Sequence, residues 1–231
     1  MKAYTIVIKD NEISENCVKK LLQSSKSVDN EFEIERFDAI TPKNVKEVMS
    51  EEGVVWNYPH TRKETCLKTG LIKSPYIGDL ATRQSCFMSH YLLWKKCYES
   101  DESILILEHD AVFVKKLNMN LFEDYGYKVI GLNDPRGATR RSQKFYSEIA
   151  RRGKGIQMCP IVDTKEIPQG LAGNSAYILF PKAASRLLFL TKDLGAWPND
   201  ALMCQQLMAG MIGVTKPFYT KVQGAMSTTT V

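Results

Sequence analysis

Three side chains able to bind cations or move protons, Glu108, His109 and Asp110, interrupt the stretch ILILEHDAVF at 104–113. The four apolar β-formers before them predict a buried strand over 103–108. Such a strand does not end in two carboxylates and an imidazole without a compensating partner. Glu108 and Asp110 offer hard oxygen ligands of the kind that hold Mg²⁺ or Mn²⁺ against phosphate oxygens. The alternative is that they cap a helix or form ion pairs. Alternation along the strand sends His109 to the opposite face, which predicts a hydrogen-bonded supporting role. Another acid, Asp200, stands in Trp197-Pro198-Asn199-Asp200 beside a predicted helix start. There Asn199 or Asp200 is an N-cap, or Asp200 is a general base for a hydroxyl, a role worth roughly 10²–10⁴ in rate. Asp134 and Arg136, after another predicted strand end, are either a turn acid with a solvated base or acceptor-site groups. Asp134 is the second candidate base. His90, on the apolar stripe of a helix, reads as a hydrogen-bonded core residue.

Residues 136–154 hold Arg136, Arg140, Arg141, Lys144, Arg151, Arg152 and Lys154 against Glu148, with Phe145 and Tyr146 interleaved. The rest of the chain is nearly neutral, so this segment carries the net charge of +5. A charge run is usually a solvated face, but basic and aromatic residues in one loop also suit a polyanionic acceptor.

These groups need a frame. Strands are predicted at 3–8, 32–37, 103–108, 127–132, 175–180 and 212–219. Helices are predicted after Ser14, from Thr41-Pro42, over 81–100, from Pro181 to Leu190, and over 197–208. Residues 53–80 show no period and read as a long loop; 134–170 read as irregular or helical. Alternating strands and helices predict an α/β sandwich with a largely parallel sheet, as one domain over 1–231. Ligands of such sheets lie beyond the carboxyl ends of strands, where Glu108 falls. With 231 residues, 44% hydrophobic and 25% charged, the chain can fill a sizeable core. No apolar run approaches the ~18 residues of a membrane span, and the N-terminus lacks a signal peptide's apolar core. The six cysteines form no CxxC pair or Cys/His cluster, which predicts reduced thiols and a cytoplasmic setting.

Four stretches, in order, resemble glycosyltransferase family 25, the lipopolysaccharide-biosynthesis and collagen-galactosyltransferase group. ILILEHDAVF resembles the ILEDDA signature, RFDAITP (36–42) the early F-D-A segment, RQSCFMSHYLLWKKC (83–97) the GC-x-x-SH-x-x-x-W helix, and GLAGNSAYILFPKAASRLL (170–188) the G-x-x-A-Y segment. The resemblance implies a GT-A nucleotide-diphosphosugar fold and an inverting transfer from a UDP-sugar with a divalent metal, Mn or Mg. It implies that Asp110 is the principal metal ligand and that Glu108 supports metal or donor. Ile8, Asp38, Ala39, Arg83 and His109 then fall on the donor side, Arg83 meeting the diphosphate. Arg136, Arg140, Arg141 and Asn174 fall on the acceptor side, and Asp200 matches an acidic residue that the family carries in this region, which favours the general-base reading. Three departures stand out: His109 replaces the middle acid, Ser85 replaces the glycine before Cys86, and IKDNEISEN replaces an Arg-rich segment.

The chain further resembles small family-25-type proteins of T-even-like bacteriophages, some of which glycosylate 5-hydroxymethylcytosine in DNA, including with arabinose. Double-stranded DNA is then the expected acceptor, in a host cytoplasm. A lipopolysaccharide sugar at the inner membrane face is the second expectation, and a non-catalytic nucleotide or nucleic-acid binder the third.

Overall fold

A computed structural model describes residues 1–75, 78–122, 126–137 and 141–224. The chain opens with β1 (Lys2–Val7), buried from Ala3 onward, and α1 (Glu12–Ser27), capped by Asn11, which accepts from Ser14 N. Ser14, expected ahead of the helix, lies in its first turn. Its Oγ accepts instead from Ile8 N at 2.9 Å, which ties the end of β1 to α1. After β2 (Ile34–Asp38), helix α2 (Val45–Glu51) starts later than Pro42, because Thr41 N bonds Asn44 Oδ1 in a local turn. The expected loop over 53–80 contains a two-residue hairpin of β3 (Glu64–Thr65) and β4 (Ile72–Lys73). The long α3 (Leu80–Ser100) is capped by Asp79.

The second half runs β5 (Ile104–Glu108), β6 (Ala111–Phe113), β7 (Val129–Gly131), α4 (Ser142–Arg151), β8 (Gly155–Met158), β9 (Ala176–Leu179) and α5 (Pro181–Leu194). Two one-turn helices, α6 (Asn199–Leu202) and α7 (Gln205–Met208), replace the single helix expected over 197–208. The break has a cause: Met203 O accepts from Leu171 N, and Gly170 bridges Cys204, so the helical ladder is interrupted there. Last come β10 (Ile212–Lys216) and β11 (Thr220–Val222).

The main sheet has the order β2-β1-β5-β9-β7-β10-β8. Strands β2, β1, β5, β7 and β10 run the same way, while β9 and β8 are reversed. Helices flank it. Tyr4, Ile6, Ile104 and Ile106 face the core shared with α2, α3 and α5. Ala3, Leu105 and Leu107 face the other core, with Leu21 of α1 and Phe113. Each fully buried aliphatic contributes on the order of 1.5–3 kcal/mol. The reversal of β9 matters for the site. It pairs Leu107 with Ala176, so the beginning of β9 abuts the end of β5, and Glu108 N donates to Ser175 O at 2.7 Å. Beyond this edge, β11 pairs antiparallel with β6 and brings the C-terminal segment across it. Among the described residues, no helix is long and apolar enough to cross a membrane, and all six cysteines are free.

Candidate active site

The carboxyl ends of β1, β2 and β5 meet the first half of α3. Ala39 N donates to Val7 O, and Ile40 N donates to Ser89 Oγ at 2.9 Å. The turn after β2 is therefore held by both the sheet and the helix, with Asp38 exposed and Ala39 half-buried. The next α3 residue reaches the neighbouring strand end. His90 Nε2 lies 3.2 Å from Glu108 Oε1, and His90 Nδ1 lies 2.8 Å from Tyr177 Oη, which accepts from Trp94 Nε1 at 2.9 Å. His90 is thus a buried, satisfied core residue and also a partner of the strand-end acid. Burial would push the Glu108 carboxyl up. The hydrogen bond from His90, with smaller contributions from the neighbouring imidazoles, holds Glu108 below the usual range. His109 is pushed down by burial, with Glu108 opposing.

Asp110 has the opposite environment. Burial, reinforced by the charge of Glu108, pushes its carboxyl up to about 7. Its Oδ1 is buried with no hydrogen-bond partner among the described residues. A carboxylate oxygen buried without a donor beside a second carboxylate fits a hard divalent cation, and Asp110 with Glu108 supplies the oxygen chemistry that Mg²⁺ or Mn²⁺ takes. Cys86, His90 and Glu108 also place ligand atoms within 4.8 Å of one another. Cys86 and His90 are poorer metal ligands, because both His90 nitrogens are engaged and burial holds the Cys86 thiol protonated.

Gln223, which sequence reasoning missed, holds the Asp110 turn. Its N–H donates to Asp110 O at 2.9 Å. Its side-chain amide donates to Cys17 O at 2.9 Å and faces His109 O and Ala111 O at 3.4 Å. Three carbonyls fix which end of the amide is nitrogen. Gln223→Leu keeps the bulk and removes the donor. We expect it to cost about 1–3 kcal/mol, a loss of about 2–4 °C in melting temperature per kcal/mol, and to weaken cation binding as well. Thermal melts with and without Mn²⁺ check this; a variant with the wild-type melt and Mn²⁺ response would leave the glutamine idle.

Asp200 lies in the first turn of α6. Pro198 occupies the cap position and makes no side-chain capping bond; the Asp200 carboxylate accepts from the backbone N–H of Ala201. Burial raises the Asp200 carboxyl, with Arg83 opposing and Glu108 adding to the rise. Its Oδ1 is buried without a hydrogen-bond partner among the described residues. Cys86 Sγ stands 4.0 Å from Asn199 Oδ1, so α3 contributes to this side too. Arg83 is buried in the first turns of α3. Gly170 packs on the Asp200 backbone so closely that an added Cβ would lie 1.3 Å from Asp200 O. Backbone cannot yield as a side chain can, so Gly170→Ala is expected to displace the Asp200 turn and lower the melting temperature more than a typical point change does. An unchanged melt with full activity would contradict this packing.

The remaining candidates are dispersed. Asp134 binds Arg136 through two oxygens, the shortest contact being 2.6 Å. Burial would raise it, but that ion pair holds it below the usual range. Its carboxylate is therefore occupied, unlike that of Asp200. Arg136 also stacks 4.4 Å from the Tyr146 ring, with Lys216 at 4.6 Å from the same ring. Arg141 pairs with Asp163 at 2.7 Å, and Arg151 with Glu148 at 2.9 Å. Arg140 lies outside the described residues. Asn174 sits just before β9 at the same edge, its Nδ2 buried and without a partner, and Ile8 is half-buried at the end of β1.

Acids gathered at the carboxyl edge of a helix-flanked, mainly parallel sheet define a GT-A-like α/β enzyme. The chain belongs to glycosyltransferase family 25 (LPS biosynthesis protein), whose sequence profile matches residues 2–203, and it is a glycosyltransferase. No curated protein matches it. Solved structures it resembles include apo mouse xyloside xylosyltransferase 1, with TM-score 0.48, 11% identity, and coverage of 92% of this chain and 84% of that one. The glycosyltransferase GlyE of Streptococcus pneumoniae TIGR4 gives TM-score 0.41 and 12% identity over 93% of this chain. The chain spans 45% of the length of that streptococcal protein.

Proposed function

We propose that the chain transfers a sugar from a UDP-sugar, with inversion, to the hydroxyl of hydroxymethylated cytosine in double-stranded DNA, in a phage-infected host cytoplasm. The observation that carries the transfer chemistry is the contrast among three acids at one edge. Asp110, beside Glu108, is an oxygen site without a donor, while Asp200 is a buried carboxylate with an open oxygen. A divalent cation held by Asp110 and Glu108 would neutralise the leaving diphosphate. Asp38 and Ala39 flank the nucleotide, and Arg83 adds positive charge on the donor side. Asp200 takes the acceptor proton as the hydroxyl attacks, and Asn174 offers a free amide at the same edge.

The DNA acceptor rests on the basic segment. Arg136, Arg141 and Arg151 are paired internally, so phosphate contacts fall to the exposed Lys144, Arg152 and Lys154. About three such contacts give a slope of log K against log[salt] of roughly −2.7 on duplex DNA. A glycan acceptor is the second reading, favoured by the lipopolysaccharide biosynthesis in the family's description. Mass spectrometry of nucleosides decides. The protein is incubated with a panel of UDP-pentoses and UDP-hexoses and with hydroxymethylated DNA, unmodified DNA or core oligosaccharide. Transfer to hydroxymethylated DNA alone supports the first reading and implies a base drawn out of the stack. Transfer to the oligosaccharide alone replaces it with the second.

A further inference from the structure

Trp94, Tyr177, His90 and Glu108 form one line of hydrogen bonds, with Trp94 and Tyr177 fully buried and His90 1% exposed. Its direction follows from chemistry. An indole N–H only donates, so Trp94 donates to Tyr177 Oη. Among the described residues, the Tyr177 hydroxyl hydrogen then has one acceptor in reach, His90 Nδ1. That leaves the imidazole proton on Nε2, donating to Glu108. A proton on Nδ1 instead would aim an imidazole lone pair at a carboxylate. An imidazolium would send two donors to Tyr177 Oη and strand the hydroxyl hydrogen in a buried pocket, at the cost of an unmade hydrogen bond.

We infer that Tyr177 and Trp94 are positioning residues that fix His90 as its Nε2–H tautomer and through it aim Glu108; the link to donor binding rests on the role proposed above for Glu108. The relay joins α3 to β9, since Trp94 lies on the helix and Tyr177 pairs with Ile106 and Gly131 in the sheet. With Oε1 engaged by His90, the rest of the Glu108 carboxylate is left to face the site. Cys86, the third member of the cluster with His90 and Glu108, makes no hydrogen bond to His90 among the described residues.

The test uses nitrogen NMR of the full chain labelled at its 3 histidines, with His90→Gln identifying the His90 signals. Wild type should show a pure Nε2–H tautomer. Tyr177→Phe should give a tautomer mixture, and Mn²⁺-dependent UDP affinity should fall roughly 10–100-fold, as for other groups that orient a metal ligand. Trp94→Phe keeps the tyrosine hydroxyl but removes the donor that orients it, so it should admit a smaller share of the other tautomer and lose less affinity. A wild-type Nδ1–H or imidazolium signal, or an unchanged tautomer in Tyr177→Phe, overturns the inference. If Tyr177→Phe does not fold, the wild-type signal and Trp94→Phe decide. A tautomer that moves while UDP affinity stays constant keeps the relay and overturns the donor-side role of Glu108.

Discussion

Asp110→Asn is expected to abolish cation-dependent UDP binding while making the metal-free protein no less stable. The two effects share a cause. Burial and Glu108 raise the Asp110 carboxyl to about 7, from about 3.9 in an unfolded chain. A group whose folded value is raised contributes its stability below the unfolded value and loses it as pH rises through the folded one. Between about pH 4 and about pH 7, metal-free wild type therefore loses stability that the asparagine variant keeps. A cation reverses this for wild type, because it binds the ionised form and competes with the proton. Removing that charge leaves the diphosphate without its main compensation. Calorimetry with UDP, with Mn²⁺ or chelator, gives the binding result, and melting curves across pH give the stability result. UDP affinity that is equal with chelator present would remove the metal from Asp110.

The second large effect belongs to Asp200. Asp200→Asn should retain cation-dependent UDP binding and lose roughly 10²–10⁴ in turnover. Asparagine keeps the shape, and its Oδ1 can still accept the backbone N–H of Ala201 that the carboxylate accepts. Because burial raises the Asp200 carboxyl, wild-type turnover should climb with pH through that raised value as the base ionises. The variant should lose that limb. The same group withdraws folding stability as pH rises through its folded value, so activity and stability move oppositely there. Near-normal turnover in the variant would make Asp200 structural.

Much of this site could be seen in the chain before folding. Ile104 to Leu107 is apolar on both faces, and its abrupt end in Glu108 marks a sheet edge. His90 was legible as a buried, bonded histidine, but its partner was not, because residue type does not say which strand end a helix will meet. The direction of β9 was equally hidden. Ala176 to Leu179 is buried on both faces, and such a run reads the same either way along the sheet. The strand Thr220–Val222 is too short and polar to show a period, and its partner lies over a hundred residues away. The basic run announced its charge. It did not announce that Asp134, Asp163 and Glu148 would take up three of its arginines.

The Gln223 clasp has a consequence in time. It joins residues 206 positions apart, Cys17 and Gln223, and with them the turn that carries Asp110. Chains emerge from the ribosome N-terminus first, at about 5–20 residues per second. Every strand of the main sheet is made before residue 223 appears. A nascent chain can thus build its core early and fasten the Asp110 turn only once residue 223 has been made. A chain cut short before residue 223 would keep every strand of the main sheet and lose the clasp on that turn.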